Sequence, residues 1–173
     1  MEKVIIKSPS GSYTGTCIDK IYTFYGIPYA QSCADKNRWQ APKELIGNYA
    51  HKESVKGPSA YQTVVNKSFM FDSSLPNSSE DCLNLNIATP KDSSNLPVMI
   101  WIHGGAYLTG SAHGALYQME TLASRGVVLI TINYRLGPLG FLKLDEVTNG
   151  KIPSTGNEGL LDQRLAIRWV KKI

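Results

Sequence analysis

Val98-Met99-Ile100-Trp101-Ile102 is an unbroken apolar run that ends abruptly in His103-Gly104-Gly105-Ala106. Its side chains are β-branched, aromatic or long and apolar, with no polar alternation. The run is therefore predicted to be a strand buried on both faces, as strands of parallel sheets are. Glycines at the end of such a strand let the backbone approach a neighbour or a ligand closely, because no Cβ intervenes. Consecutive N–H groups can then point into one small space, which is what stabilisation of charge developing on an oxygen requires. His103, inside this turn, is expected to pack and to fix the loop rather than to act as a base.

The flanking sequence supplies an alternation of strands and helices. Leu83–Thr89 reads as a strand, and Asn95-Leu96-Pro97 turns the chain into the central run. Ala115–Arg125 carries Leu116, Met119, Leu122 and Ala123 at helical spacing, with Gly126 as a stop. Val127–Thr131 is a second buried strand, so the unit predicts a parallel pair joined by a right-handed crossover. Upstream, Val4–Ser8, Ser12–Ile18 and Ile21–Phe24 predict a small antiparallel sheet leading to a Gly26-Ile27-Pro28-Tyr29 turn. Residues 50–80 are polar and read as a long surface loop, with Ser73, Ser74, Ser78 and Ser79 solvated. The last helix is expected to begin near Thr155-Gly156-Asn157-Glu158, where Thr155 and Glu158 have capping-box spacing. Leu161, Leu165, Ala166, Trp169, Val170 and Ile173 form its apolar face.

A chain of 173 residues with 42% hydrophobic residues suits one globular domain. The net charge of +4 comes from scattered Lys and Arg, with no basic block, which argues against nucleic-acid or anionic-membrane partners. No stretch approaches the length of a membrane span. The apolar run at the N-terminus is too short for a signal-peptide core. No His pair has metal-ligand spacing, His51 and His113 read as ordinary loop residues, and no cofactor is expected.

Four segments, in order, carry a family resemblance. Phe24-Tyr25-Gly26-Ile27-Pro28-Tyr29-Ala30, Glu80-Asp81-Cys82-Leu83-Asn84-Leu85-Asn86, Asn133-Tyr134-Arg135-Leu136-Gly137-Pro138-Leu139-Gly140-Phe141-Leu142 and Gly156-Asn157-Glu158-Gly159-Leu160-Leu161-Asp162-Gln163 resemble segments of the type-B carboxylesterase and cholinesterase family. That resemblance implies an α/β-hydrolase fold: here the N-terminal part of a mixed, mostly parallel sheet with flanking helices, preceded by the small antiparallel sheet. It covers the whole chain but only the N-terminal third or so of a family member. It implies that Gly105 and Ala106 donate N–H groups to an oxyanion hole, with Gly104 needed for the turn. It also implies two structural ion pairs, Arg38 with Glu80 and Arg135 with Asp162.

The family's chemistry needs a serine at a GxSxG elbow, a histidine and an acid. Residues 1–173 contain no GxSxG: Gly57-Pro58-Ser59-Ala60-Tyr61 fails at its last position, and Gly110-Ser111-Ala112-His113-Gly114 has its serine misplaced. The expectation is an incomplete hydrolase domain that stops before the elbow. It is expected to be inactive alone and to belong with a C-terminal part, in a continuing or separate chain, that acts on small carboxylic esters. The alternatives are a non-catalytic cholinesterase-like interaction protein and the inert product of a truncated gene. A cholinesterase-type choline site lacks its tryptophan, since none lies between Trp39 and Trp101. In secreted members the cysteine matching Cys82 is bridged to an upstream cysteine, but Ala60 stands at that position here. Cys82 is therefore expected to be a reduced, buried thiol and the protein cytoplasmic. Ser32-Cys33-Ala34-Asp35 departs from the family's PPxG-like stretch before Arg38-Trp39.

Overall fold

The first three strands, close together in sequence, pair as antiparallel neighbours. The computed structural model describes residues 2–8, 11–47, 49–62, 77–114 and 117–173. Strands β1 (Glu2–Ser8), β2 (Gly11–Ile18) and β3 (Ile21–Pro28) run antiparallel. Asp19 and Lys20 both adopt positive φ (49° and 63°) between the paired Ile18 and Ile21. That is the two-residue hairpin geometry whose twist suits the flanking strands.

The small sheet expected here is continuous with the main one. β3 pairs with β7 (Asn84–Pro90), β7 with β9 (Val128–Ile132), and β9 with β8 (Val98–Ile102), in the order β1-β2-β3-β7-β9-β8. A short β4 (Tyr49–His51) joins β2, and β5 (Ser59–Ala60) and β6 (Ser78–Ser79) make a separate pair. The sheet is mixed, and antiparallel pairings predominate over the described residues. In the main path only β8 and β9 run parallel, the pair that the strand–helix–strand spacing predicts. Gly26-Ile27-Pro28 belongs to β3 rather than to a turn. The register shifts there between Phe24 and Ile27, and Gly26, at φ +68°, lies so close to the Val55 carbonyl that a Cβ would sit 2.3 Å from its oxygen.

Two apolar cores lie on opposite faces, as alternation along β9 requires. Ile130 and Ile132 join Tyr13, Tyr29, Leu85, Leu165, Ala166 and Trp169 on one side. Leu129 joins Ile21, Ala88, Met119 and Ala123 on the other. The first core is closed by helix α3 (Glu158–Val170), the second by the short α1 (Met119–Ala123). Trp169 meets Tyr13 edge-on at 5.9 Å between ring centres. A one-turn helix, α2 (Gly137–Phe141), has Pro138 in its first turn.

Several expectations need correction. The run Val98–Ile102 is a strand but is not buried on both faces. It lies at the edge of the sheet, and Val98, Met99, Trp101 and Ile102 are 53%, 44%, 44% and 40% exposed. Apolar composition reports what a strand is suited to contact, and the described residues cover this one only in part: Ile100 packs against the first core and the Trp101 ring meets Tyr117 at 5.4 Å. The helix expected over Ala115–Arg125 is confined to Met119–Ala123, while Ala115 and Leu116 lie outside the described residues. Of the expected surface loop, residues 63–76, with Ser73 and Ser74, lie outside them too. Thr155 and Glu158 do not form a capping box. Asn157 is the N-cap, and Glu158, already inside the helix, accepts from the Thr155 and Gly156 amides at 2.8 and 3.1 Å. Ile173 is exposed rather than part of the α3 face.

Candidate active site

The loop after β8 is held in a left-handed conformation. Gly105, Ala106 and Tyr107 have φ of 121°, 53° and 61°, and Gly105 O accepts from the amides of Leu108 and Thr109 at 3.0 Å each. A Cβ on Gly105 would stand 2.0 Å from Thr109 O, so no other residue fits without rebuilding the turn. Two successive non-glycine residues at positive φ are strained, and such strain gathers at functional sites. Among the described residues, no protein group accepts from the amides of Gly104, Gly105 or Ala106. Gly104 and Ala106 are exposed and Gly105 is half-buried.

His103 is buried under this loop. Its ring stacks on Tyr134 at 4.5 Å between centres, Nδ1 lies 3.0 Å from Gly104 O, and the Tyr134 hydroxyl donates to His103 O at 3.0 Å. Burial pushes the imidazole below its ordinary value, so it is neutral near pH 7. Gly110, at φ +117°, passes so close that a Cβ would lie 2.3 Å from His103 Nδ1.

Side-chain amides anchor the far end of the loop. Gln62 donates to Gly110 O and accepts from Gly110 N, both at 2.8 Å. Asn133 Oδ1 accepts from the Ala112 amide at 2.8 Å, and Thr131 Oγ1 donates to Ala112 O at 2.9 Å. The ring nitrogens of His113 lie 3.1 Å from Asn86 Nδ2 and 3.2 Å from Asn133 Nδ2. Burial, aided by the Lys56 charge, pushes His113 down to about 4. His113 and His51 are thus buried residues rather than ordinary loop positions. Gln62, Asn86, Asn133 and His113 escaped the sequence reading. The available signal was a pair of asparagines, Asn84 and Asn86, two apart in an apolar strand and hence on one face.

The charged candidates fall in two places below the loop. Arg38 Nε lies 2.7 Å from Glu80 Oε1, half-exposed. Arg135 is 3% exposed and donates to Asp162 from its amide (3.0 Å), Nε (2.8 Å) and Nη2 (2.7 Å). Burial opposes the Arg135 charge, yet its bonds to Asp162 hold the guanidinium well above its ordinary value. Burial likewise pushes the Asp162 carboxyl up against the pull of Arg135. This pair ties the strand-to-helix segment after β9 to α3. The amide of Gly137, two residues further on, donates to Tyr107 O at 2.7 Å and reaches the left-handed loop. Among the described residues, no group of three His, Cys, Asp or Glu side chains could hold a metal. No described helix is long and apolar enough to cross a membrane.

The profile of the Carboxylesterase family matches residues 3–173. The para-nitrobenzyl esterase of Bacillus subtilis (strain 168) is 36% identical, over 99% of this chain and 35% of its own length. The phenmedipham hydrolase of Pseudarthrobacter oxydans is 39% identical, over 96% of this chain and 33% of its own. A solved PNB esterase superposes with a TM-score of 0.86 at 36% identity, covering 97% of this chain and 34% of that structure. The chain therefore spans about a third of the length of these relatives. Its fold is that of the α/β-hydrolase esterases, and by sequence and structure alike it belongs to the carboxylesterase family.

Proposed function

We propose that this chain is the N-terminal portion of a serine hydrolase that cleaves small carboxylic esters through an acyl-enzyme. In this reading the amides of Gly105 and Ala106 receive the oxyanion of the tetrahedral intermediate, and Gly104 lets the chain turn. The observation that carries it is the left-handed run Gly105-Ala106-Tyr107, in which the amides of Gly105 and Ala106 have no protein acceptor among the described residues. Donors fixed before the reaction need no reorganisation as charge develops. Gln62 and Asn133 hold the loop from one side and Gly137 from the other.

The nucleophile, the acid and the catalytic histidine belong to a C-terminal portion, in a continuing or separate chain. Residues 1–173 hold no GxSxG, so alone they carry no esterase activity. The same reading places the protein in a cytoplasm, supported by Ala60 at the position where the resemblance puts the bridging cysteine of secreted members.

The test is turnover of a short-chain nitrophenyl ester by the full-length protein, its Gly105→Ala variant and the 173-residue chain. The expected outcome is activity in the first, a kcat lower by about 10²–10³-fold in the second, because the rebuilt turn moves an oxyanion donor out of reach, and none in the third. An unchanged kcat in Gly105→Ala, or turnover by the purified 173-residue chain, overturns the assignment.

A further inference from the structure

The segment that departs from the family pattern, Ser32-Cys33-Ala34-Asp35, brings a second cysteine to Cys82. Both are free thiols and both are buried. The Cys33 thiol donates to Glu80 O at 2.8 Å. The same oxygen accepts from the amide of Cys82 at 2.9 Å. One carbonyl thus gathers the sulfur of one cysteine and the backbone of the other, which places the two side chains side by side in the same core. The segments are also held together on either side of this contact, by Arg38 on Glu80 at 2.7 Å and by the Tyr29 amide on Leu83 O at 3.2 Å. The third cysteine, Cys17, sits on β2, paired with Tyr22 and Glu2.

We propose that Cys33 and Cys82 form a peroxide-sensitive dithiol that closes to an intramolecular disulfide. The Cys33 sulfur, as thiolate, attacks one oxygen of hydrogen peroxide. The O–O bond breaks, the departing hydroxide takes a proton to become water, and Cys33 becomes a sulfenic acid. The Cys82 sulfur, giving up its proton, then attacks Cys33 Sγ. The S–O bond breaks and a second water leaves. Two thiols lose two electrons, one peroxide gains them, and the products are one disulfide and two waters.

The roles of the two sulfurs follow from their surroundings. The hydrogen bond from Cys82 holds the Cys33 thiol below its ordinary value, with the Arg135 charge assisting against burial. That bond and burial push Cys82 up. Cys33 also lies between exposed Ser32 and half-buried Ala34, so a small oxidant needs only a local opening to reach it. Cys82 is enclosed and acts as the resolving thiol. This bridge differs from the one the resemblance assigns to secreted members, whose partner position is Ala60, and it does not depend on the ester-cleavage reading.

The test is exposure of the natural-length, natively folded protein to hydrogen peroxide, removal of the peroxide with catalase, and then iodoacetamide in urea, digestion and mass spectrometry. The expected product is a Cys33–Cys82 linked peptide lighter by two hydrogens than its reduced parts. Cys17 stays alkylated, and dithiothreitol restores labelling at both sites. In Cys33→Ser protein, Cys82 stays alkylated under the same treatment. The proposal is overturned if Cys33 and Cys82 both remain alkylated at peroxide levels that oxidise free glutathione. It is equally overturned if the linked peptide forms only in urea, or if Cys33 proceeds to a sulfinic acid while Cys82 stays alkylated. The linkage is read in the unsubstituted protein, so the outcome does not hinge on how the variant folds.

Discussion

Arg135 and Arg38 both meet a carboxylate at 2.7 Å, yet they belong to different energetic regimes. Arg38 is 39% exposed and its pair with Glu80 is screened by water, so Glu80→Gln is expected to destabilise by no more than about 1 kcal/mol. Arg135 and Asp162 are out of solvent, and Asp162→Asn leaves a buried guanidinium without its counter-charge. The expected loss there is about 3–5 kcal/mol. Urea unfolding of the two variants side by side checks this, and equal midpoints would reject the distinction. Both arginines stand in quotable sequence motifs. Their burial does not, because it depends on α3 covering one and on no described element covering the other. The amides that hold the loop show the same limit. Asn84 and Asn86 lie on one face of β7 and both are buried, because Pro58 lies over the first and Ala112 over the second, each carbonyl accepting from the asparagine amide.

At the scale of elements, β8 is where composition and environment part. Its side chains suit an interior, but it is the last strand of the ladder over the described residues, with one edge unpaired and four of its five apolar residues at least 40% exposed. Such an edge invites association. Trp101→Lys is therefore expected to lower the light scattering of the isolated 173-residue chain on concentration. In the full-length protein the same change is expected to destabilise, because the proposed C-terminal portion would cover that strand. Scattering and thermal unfolding of the two lengths measure both effects, and a neutral effect in the full-length protein would mean that β8 stays exposed there. Helix α3 behaves more as its pattern suggests. Leu165, Ala166 and Trp169 pack on the sheet, and the intervening Ile167 and Arg168 face outward. Its start differs because Glu158 spends its carboxylate on the amides and hydroxyls of the approaching residues 154–156.

For the molecule as a whole, all three histidines are pushed below the ordinary value, by burial first. The unfolded chain therefore binds protons before the folded one does as pH falls. Stability is full above about 6.5, the unfolded value, and declines toward lower pH. His113, held to about 4, accounts for the widest window, between about 6.5 and about 4. A gap of that width is worth up to about 3 kcal/mol by linkage. Urea midpoints at pH 7 and pH 5 are expected to differ in the unsubstituted chain and to differ less in His113→Asn. An unaltered difference in that variant would remove His113 as the source.

The strands of the main ladder and their order along the chain, the parallel unit around β8 and most of the buried face of α3 could be read from residue type and spacing, and the family from contiguous motifs, whereas β4, β5 and β6 lie where a surface loop was expected. Each of those readings depends on local periodicity or on contiguous motifs. Tertiary structure alone decided that β8 lies at an edge, that His51 and His113 are interior, that Gln62 grips Gly110 from 48 residues away, and that Cys33 and Cys82 share the Glu80 carbonyl. Those outcomes depend on which distant segments the sheet order brings together. Linear spacing carries no information about separation in space once the chain turns back on itself.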